Sequence, residues 1–319
     1  MHVLIVGYSE IVKKRVLPAL KKNKQIDCID IASRSKGADL SSEEACNGTF
    51  FNDYAIALAK SNADIVYISL VNSMHAEWAE RALLKGCHVI VDKPSFTSFD
   101  DAVRLAKLAQ QKDLCLAEAT VYSSHPQIER TRNLFLQAGT SPTRLSVLFS
   151  FPPFSEENFR YQKHLGGGAL LDLGSYAVSS GRLFFESQPE EVFCRIGTRH
   201  PVTNVDTSFS MLAMYSGGRS MVGHFDFNTE YRNCINILGP DMSVDIDRIF
   251  TTPPEVGNEL HVRSNNNAKT IKELPANSFA FFLQDVFDSI EQNKHQFFVE
   301  NLLSDATVLD RLRMAAQEI

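Results

Sequence analysis

The sequence has no apolar run of bilayer-spanning length, no block of basic residues and no C-x-x-C pair among its six cysteines. A spanning helix needs about 20 consecutive apolar residues. The amino-terminal run from Val3 to Val6 stops at Gly7, which is also too short for a secretory core. Lys plus Arg total 32 against 38 Asp plus Glu, a net charge of −6, so no phosphate-backbone footprint exists and nucleic acid is excluded as a partner. Cys28, Cys46, Cys87, Cys115, Cys194 and Cys234 lie far apart, several within strand-like apolar runs. Buried thiols of a reducing, cytoplasmic protein fit that spacing better than a disulfide scaffold. The nine histidines give no H-x-x-x-H pair, no Cys-His set is compact along the chain and no G-x-S-x-G elbow is present. Gly168 is not followed by Lys-Ser or Lys-Thr, so the glycine triplet is no Walker loop, and no metal is expected.

What is present is enough apolar residue, 44% of 319, to fill two domains. Short β-rich runs at Val3 to Val6, Cys28 to Ala32, Ile65 to Leu70, Val89 to Val91 and Leu114 to Leu116 alternate with helical periodicity at Glu10 to Lys22, Ser73 to Lys85 and Asp100 to Lys112. Gly86 stops one helix, and Ser98-Phe99-Asp100-Asp101 caps the start of the next. This alternation predicts right-handed crossovers and a doubly wound parallel sheet over residues 1–120. From residue 121 to 319, after the segment His125 to Ala138, strand-like runs at Leu145 to Phe151, Val192 to Thr198, Val205 to Tyr215, Ser220 to Phe227 and Cys234 to Leu238 are separated by turns. They predict a second α/β domain with a large, open, mostly antiparallel sheet, closed by helices at Ser278 to Gln292 and Ser304 to Gln317.

A tight turn between the first strand and helix is where a dinucleotide's pyrophosphate would sit, against backbone N–H groups and a helix amino terminus. Gly7, Ser9, Glu10 and Ile11 form that turn, but Ser9 and Val12 stand where glycine and a small residue complete the usual fingerprint. After the second strand, Ser33, Arg34 and Lys36 occupy the place of a ribose-binding acid. Hydroxyls and cations suit a 2′-phosphate, so NADP(H) is favoured, with NAD(H) the alternative and a solvated basic turn the bland reading.

Three further stretches follow in order: Ser69-Leu70-Val71-Asn72-Ser73-Met74-His75, then Val91-Asp92-Lys93-Pro94, then Gly166-Gly167-Gly168 running through Asp172 to Tyr176. Together they resemble the glucose-fructose oxidoreductase, inositol dehydrogenase and MocA family along essentially the whole chain. The resemblance implies an amino-terminal Rossmann domain, a carboxy-terminal α/β domain, and homodimers or homotetramers formed through the second sheet. It also implies cofactor contacts from Leu70, Asn72, His75, Asp92 and Lys93. Asp92 replaces the usual glutamate, and Tyr176 stands where inositol-dehydrogenase-like members carry histidine. Tyrosine there, with Asn158-Phe159-Arg160-Tyr161 upstream, is similar to the branch acting on keto-sugars, including nucleotide-linked ones.

Hydride transfer to a carbonyl needs an acid near the developing alkoxide. A phenol of pKa about 10 becomes a usable acid when an ammonium stabilises its conjugate base. Tyr176 is the expected proton donor and Lys93 its expected ammonium. Asp172, four residues before Tyr176 and hence on the same helical face, is expected to bind substrate or orient the pair. Arg160 and Tyr161 are expected substrate contacts, and His164 is an alternative acid. The resulting expectation is an NADP-preferring enzyme interconverting hydroxyl and ketone on a sugar or nucleotide-sugar. The rivals are an NAD-dependent dehydrogenase of a free aldose or polyol and a dinucleotide-binding sensor without turnover.

Overall fold

The structure is a computed structural model, and it describes residues 1–34, 47–265 and 267–317. Its chain divides into two compact units. The first comprises Met1–Ala119 with Phe279–Leu303, and the second Thr120–Ser278 with Ser304–Ile319.

The first unit holds a parallel six-stranded sheet of order β3-β2-β1-β4-β5-β6. Its strands are β1 (His2–Val6), β2 (Cys28–Ala32), β3 (Phe50–Phe51), β4 (Ile65–Ile68), β5 (His88–Val91) and β6 (Leu116–Glu118). Reversal of strand order on either side of β1 is the doubly wound pattern, and it opens a crevice at the carboxyl ends of β1 and β4. Val3 to Val6, Ile29, Ile31 and Ile65 to Ile68 are buried, as strands covered on both faces require. Gly86 (φ 93°) ends the helix His75–Lys85 in the left-handed region, and the Ser98 hydroxyl caps Phe99–Gln111 by accepting from Asp101 N–H. Leu114 and Cys115 fall just outside β6, because it pairs with β5 only from Leu116 opposite Val89.

A single cut at residue 120 does not describe these units. The segment Phe279–Leu303 belongs with the first unit for a packing reason. The helix Ser278–Glu291 buries Phe282, Leu283, Val286 and Phe287 on one stripe. Its polar Gln284 bonds Asn23 at 2.9 Å, Asp288 accepts from Gln25 at 3.1 Å, and His295 stacks edge-on to His88 at 5.3 Å.

The second unit holds an eight-stranded sheet of order β14-β13-β12-β11-β7-β10-β9-β8. Its strands are β7 (Arg144–Ser150), β8 (Glu191–Arg199), β9 (Asp206–Tyr215), β10 (Arg219–Asp226), β11 (Arg232–Leu238), β12 (Met242–Asp247), β13 (Asn258–Ser264) and β14 (Asn267–Glu273). Only the β7–β10 pair is parallel. Inward residues such as Phe149, Phe209, Phe225, Ile235 and Val244 form the core with Ala177, Val178 and Leu312 from helices. The last helix, Gln296–Ala315, starts earlier than the expected Ser304. No helix among the described residues is long and apolar enough to cross a membrane.

Candidate active site

In the first unit the carboxyl-end loops meet around a chain of polar contacts. Gly7 has φ +99°, and a Cβ there would fall on the Ser69 carbonyl oxygen, so glycine is required by both conformation and space. Ser9 uses the space of the usual second glycine differently. Its hydroxyl accepts from Val12 N–H at 3.2 Å and shares a 2.8 Å hydrogen bond with the Ser69 hydroxyl. Val12 is fully buried at the start of a π turn, Val12–Val16, and Glu10 and Ile11 are exposed, Glu10 pairing with Lys14 at 3.1 Å.

Ser69 donates in turn to Asp92 Oδ2, and Tyr67 donates to Asp92 Oδ1 at 2.6 Å. Burial pushes the Asp92 carboxyl up, while the Ser69 and Tyr67 hydrogen bonds and the charges of His75 and Lys93 pull it down. Burial, reinforced by Asp92, holds the Tyr67 phenol well above its ordinary value. Lys93 is half-buried next in the chain, and the Lys93–Pro94 peptide is cis. Leu70 is half-buried and Asn72 buried.

His75, one of the expected cofactor contacts, is a buried side chain. It is 0% exposed, and its ring nitrogens face the backbone oxygens of Pro94 at 2.9 Å and Leu70 at 3.1 Å. A first-turn histidine looks solvent-facing in sequence; here the turn is folded under the β4 and β5 loops.

At the end of β2, Ser33 is buried, and its N–H donates to Phe51. Arg34 is exposed and stacks 4.5 Å above the Tyr54 ring, which meets Trp78 edge-on at 5.4 Å. Tyr54 carries no sequence signal for this role, since it arrives from the helix Tyr54–Lys60, capped by Asp53. Lys36, like Cys46, lies outside the described residues.

At the opposite, amino-terminal edge, His2, Cys28 and Asp30 bring ligand atoms within 4.8 Å of one another, a compact set that linear spacing does not reveal. The two hard ligands already satisfy each other: His2 Nε2 and Asp30 Oδ2 hydrogen-bond at 2.8 Å, and Asp30 Oδ1 accepts from Thr49 N–H at 2.7 Å.

In the second unit the glycine triplet packs against the backbone of Arg160. A Cβ on Gly167 would strike the Arg160 carbonyl, and Gly168 N–H donates to that same oxygen at 2.9 Å. Gly168 (φ 123°) leaves room for Asp206, whose carboxylate accepts from Leu170 N–H at 2.7 Å and anchors the helical turn Ala169–Asp172. Asp172 is 4% exposed and accepts from Arg160 Nε at 3.0 Å. The Arg160 guanidinium also lies about over two rings, 4.8 Å from Phe159 and 5.0 Å from Phe154.

The helix jogs at Leu173 before resuming as Gly174–Phe185. Tyr176 sits half-buried in the resumed helix, edge-on to Phe149 at 4.9 Å and tilted against Phe250 at 5.0 Å and Tyr122 at 5.8 Å. Aromatic walls fix the ring below its hydroxyl. Tyr122 is structural support: its hydroxyl bonds Ser179 at 2.8 Å, and burial pushes it well up. Tyr161 is not an open substrate contact. It is 3% exposed, stacked on His200 at 4.5 Å, with its hydroxyl accepting from Phe154 N–H at 3.0 Å. His164 is exposed in the short turn Lys163–Leu165.

Residues 1–120 match the model of an oxidoreductase family with an NAD-binding Rossmann fold, and residues 142–245 match a GFO/IDH/MocA C-terminal domain. A dTDP-3,4-didehydro-2,6-dideoxy-alpha-D-glucose 3-reductase of Actinomadura kijaniata is 28% identical across 100% of this chain and 96% of its own. One from Saccharopolyspora spinosa is 30% identical across 79% of this chain and 76% of its own. A D-xylose 1-dehydrogenase (NADP+) of Haloferax volcanii is 28% identical over 86% of this chain and 84% of its own. Among solved structures, a 3-ketoreductase from Actinomadura kijaniata in complex with NADP and TDP-benzene superposes with a TM-score of 0.91 at 27% identity, covering 99% of this chain and 98% of the other.

Proposed function

Because the chain belongs to the GFO/IDH/MocA oxidoreductase family, we propose that it is an NADP-preferring reductase of a keto group on a nucleotide-linked sugar. The observation that carries this reading is the end-to-end likeness to the dTDP-keto-sugar 3-reductase of Actinomadura kijaniata. The residues at the sheet's carboxyl edge fit a dinucleotide: a glycine turn at Gly7 for the pyrophosphate, and the stacked Arg34 for a 2′-phosphate. Leu70, Asn72 and Asp92 would line or support the remainder.

NADPH, when bound, supplies the hydride. Tyr176 gives its phenolic proton to the carbonyl oxygen, so that C=O gains one hydride and one proton to become CH–OH. Lys93 stabilises the negative charge that develops on that oxygen and on the phenolate. Asp172 holds Arg160, through the ion pair described above, as a cation for the substrate.

The xylose dehydrogenase supports a second reading, oxidation of a free aldose. Purified protein is assayed for NADPH consumption with dTDP-linked keto-sugars and for NADP+ reduction with free aldoses. Turnover confined to the first set is expected. Turnover confined to aldoses favours the second reading, and cofactor binding without any turnover favours a sensor.

The open face of the second sheet carries exposed Val222 and Phe193 among polar residues, which supports a homodimer or homotetramer joined there. Among the described residues all five cysteines are free thiols, which supports a cytoplasmic location.

A further inference from the structure

The amino edge of the first unit's sheet brings three metal-ligating side chains to one face. His2 and Cys28 open β1 and β2 and are in register, and Leu4 is in register with Asp30. Registered neighbours in a parallel pair point the same way, as do residues two apart on a strand. His2, Cys28 and Asp30 therefore share a face, and their ligand atoms lie within 4.8 Å of one another.

The backbone around them holds each side chain. Thr49 N–H donates to Asp30 Oδ1 at 2.7 Å, which turns Oδ2 towards His2 Nε2, 2.8 Å away. The Cys28 thiol points at the Asn47 carbonyl, 3.4 Å off, and His2 N–H donates to the Asp64 carboxylate at 2.8 Å. A carboxylate with one oxygen engaged by backbone and the other facing an imidazole is the kind of outer bonding that orients metal ligands. Asp30 is 5% and His2 21% exposed, so an ion between them would be largely dehydrated and still have a way in.

The donors select the ion. Thiolate, imidazole and carboxylate together suit zinc, whereas calcium and magnesium take oxygen donors. Zinc–ligand bonds of about 2.0–2.3 Å put tetrahedral ligand atoms roughly 3.2–3.6 Å apart. His2 and Asp30, held closer than that by their hydrogen bond, would open slightly, and Cys28 would close by on the order of 1 Å. One thiolate and one carboxylate supply the charge that Zn2+ cancels.

We propose that His2, Cys28 and Asp30, with a water, form a zinc site that clips β1 to β2. On binding, the Cys28 thiol proton leaves to solvent, and His2 gives Nε2 to the metal and keeps its ring proton on Nδ1. The site lies at the edge of the sheet opposite the Lys93 loop, and it does not depend on the ketoreductase reading.

The test uses the full chain, stripped of metal with a chelator, kept reduced by a phosphine and titrated with ZnCl2 against a chromophoric chelator near neutral pH. One ion at this site is expected, with a thiolate-to-metal charge-transfer band when cobalt replaces zinc. Changing an outer partner of a ligand costs roughly 10- to 100-fold in metal affinity, so Cys28→Ser and Asp30→Asn are each expected to cost about a hundredfold or more. Cys28→Ser is also expected to abolish the cobalt band.

Alkylation supplies a second measurement that needs no variant. Cys28 and Cys234 are both half-buried, and Cys234 has Arg232 beside it at 3.7 Å. Metal-free protein is expected to react at both. Zinc is expected to slow modification of Cys28 roughly tenfold or more and to leave Cys234 unchanged, because the metal engages the thiolate that would attack. Modification of Cys28 at equal rates with and without zinc, or zinc affinity that Cys28→Ser leaves unchanged, overturns the proposal.

Discussion

Arg34 and Tyr54 are stacked, the guanidinium 4.5 Å from the ring centre, at the end of β2. Cation–π contact holds the guanidinium flat and presents its N–H edge to an anion, the geometry that recognises phosphate oxygens in bidentate fashion. Hydrogen bonds to charged groups contribute about 1.5–3 kcal/mol, so Arg34→Ala is expected to weaken NADPH binding roughly 10- to 100-fold and leave NADH nearly unchanged. Tyr54→Leu removes only the stacking, about 0.5–1 kcal/mol, for a two- to fivefold loss. Fluorescence titration with both cofactors measures this; equal losses for the two would remove Arg34 from the 2′-phosphate.

The Arg160–Asp172 pair joins a side chain that is 26% exposed to one that is 6% exposed. Removing one partner of a largely buried pair takes away compensation for the other's charge, and the more buried member suffers more. Arg160→Ala is expected to cost about 2 kcal/mol of unfolding free energy and Asp172→Ala about 1, read from urea midpoints. The reverse order would place the strain on the guanidinium instead.

Gly7→Ala places a side chain at φ +99° and drives its Cβ onto the backbone oxygen of Ser69, which cannot rotate away. Gly86 has nearly the same φ, +93°, with nothing within 4 Å of its Cβ position. Alanine at Gly86 is expected to cost roughly 1–2 kcal/mol for the backbone alone. At Gly7 it should cost about 3 kcal/mol or more and abolish cofactor binding, since the turn itself must move. Thermal unfolding with and without NADPH separates the two.

Burial pushes the Cys115 thiol far up, and pushes Cys194 up to about 11. Only the thiolate reacts, so at pH 8 about one Cys194 in a thousand is reactive, rising tenfold per pH unit until the pKa is reached. Cys28 and Cys234 are half-buried. Native protein treated with a thiol reagent at pH 8 is expected to be modified at Cys28 and Cys234 well before Cys87, Cys115 and Cys194, as mass spectrometry of the fragments reports.

Strands legible in the sequence were those whose burial leaves a short apolar run, β1, β4 and β5, and β2 with only Asp30 interrupting it, or a long alternation such as β9. Strands β12 to β14 escape because each needs few inward apolar residues. Met242, Val244 and Ile246 serve β12, Leu260 and Val262 serve β13, and edge strand β14 is largely exposed with Lys269 and Lys272 along it. The placement of 279–303 with the first unit depends on contacts with Asn23, Gln25 and His88, more than 200 residues away in sequence, beyond the reach of any local pattern. Motifs single out candidate positions but not their partners. Lys93 and Tyr176 follow from motifs, whereas the Ser9 to Ser69 bond, the buried His75 and the Arg160 ion pair of Asp172 arise only when separate loops meet.

Tyr176 is the proposed proton donor in reduction of a nucleotide-linked ketone. Tyr176→Phe keeps the ring against Phe149 and Phe250 and removes only the hydroxyl. Loss of one acid typically costs 10²- to 10⁴-fold. Single-turnover oxidation of bound NADPH by a dTDP-linked keto-sugar is therefore expected to slow by at least a hundredfold in Tyr176→Phe, with the NADPH dissociation constant unchanged. A variant that turns over at the wild-type rate would contradict the assignment.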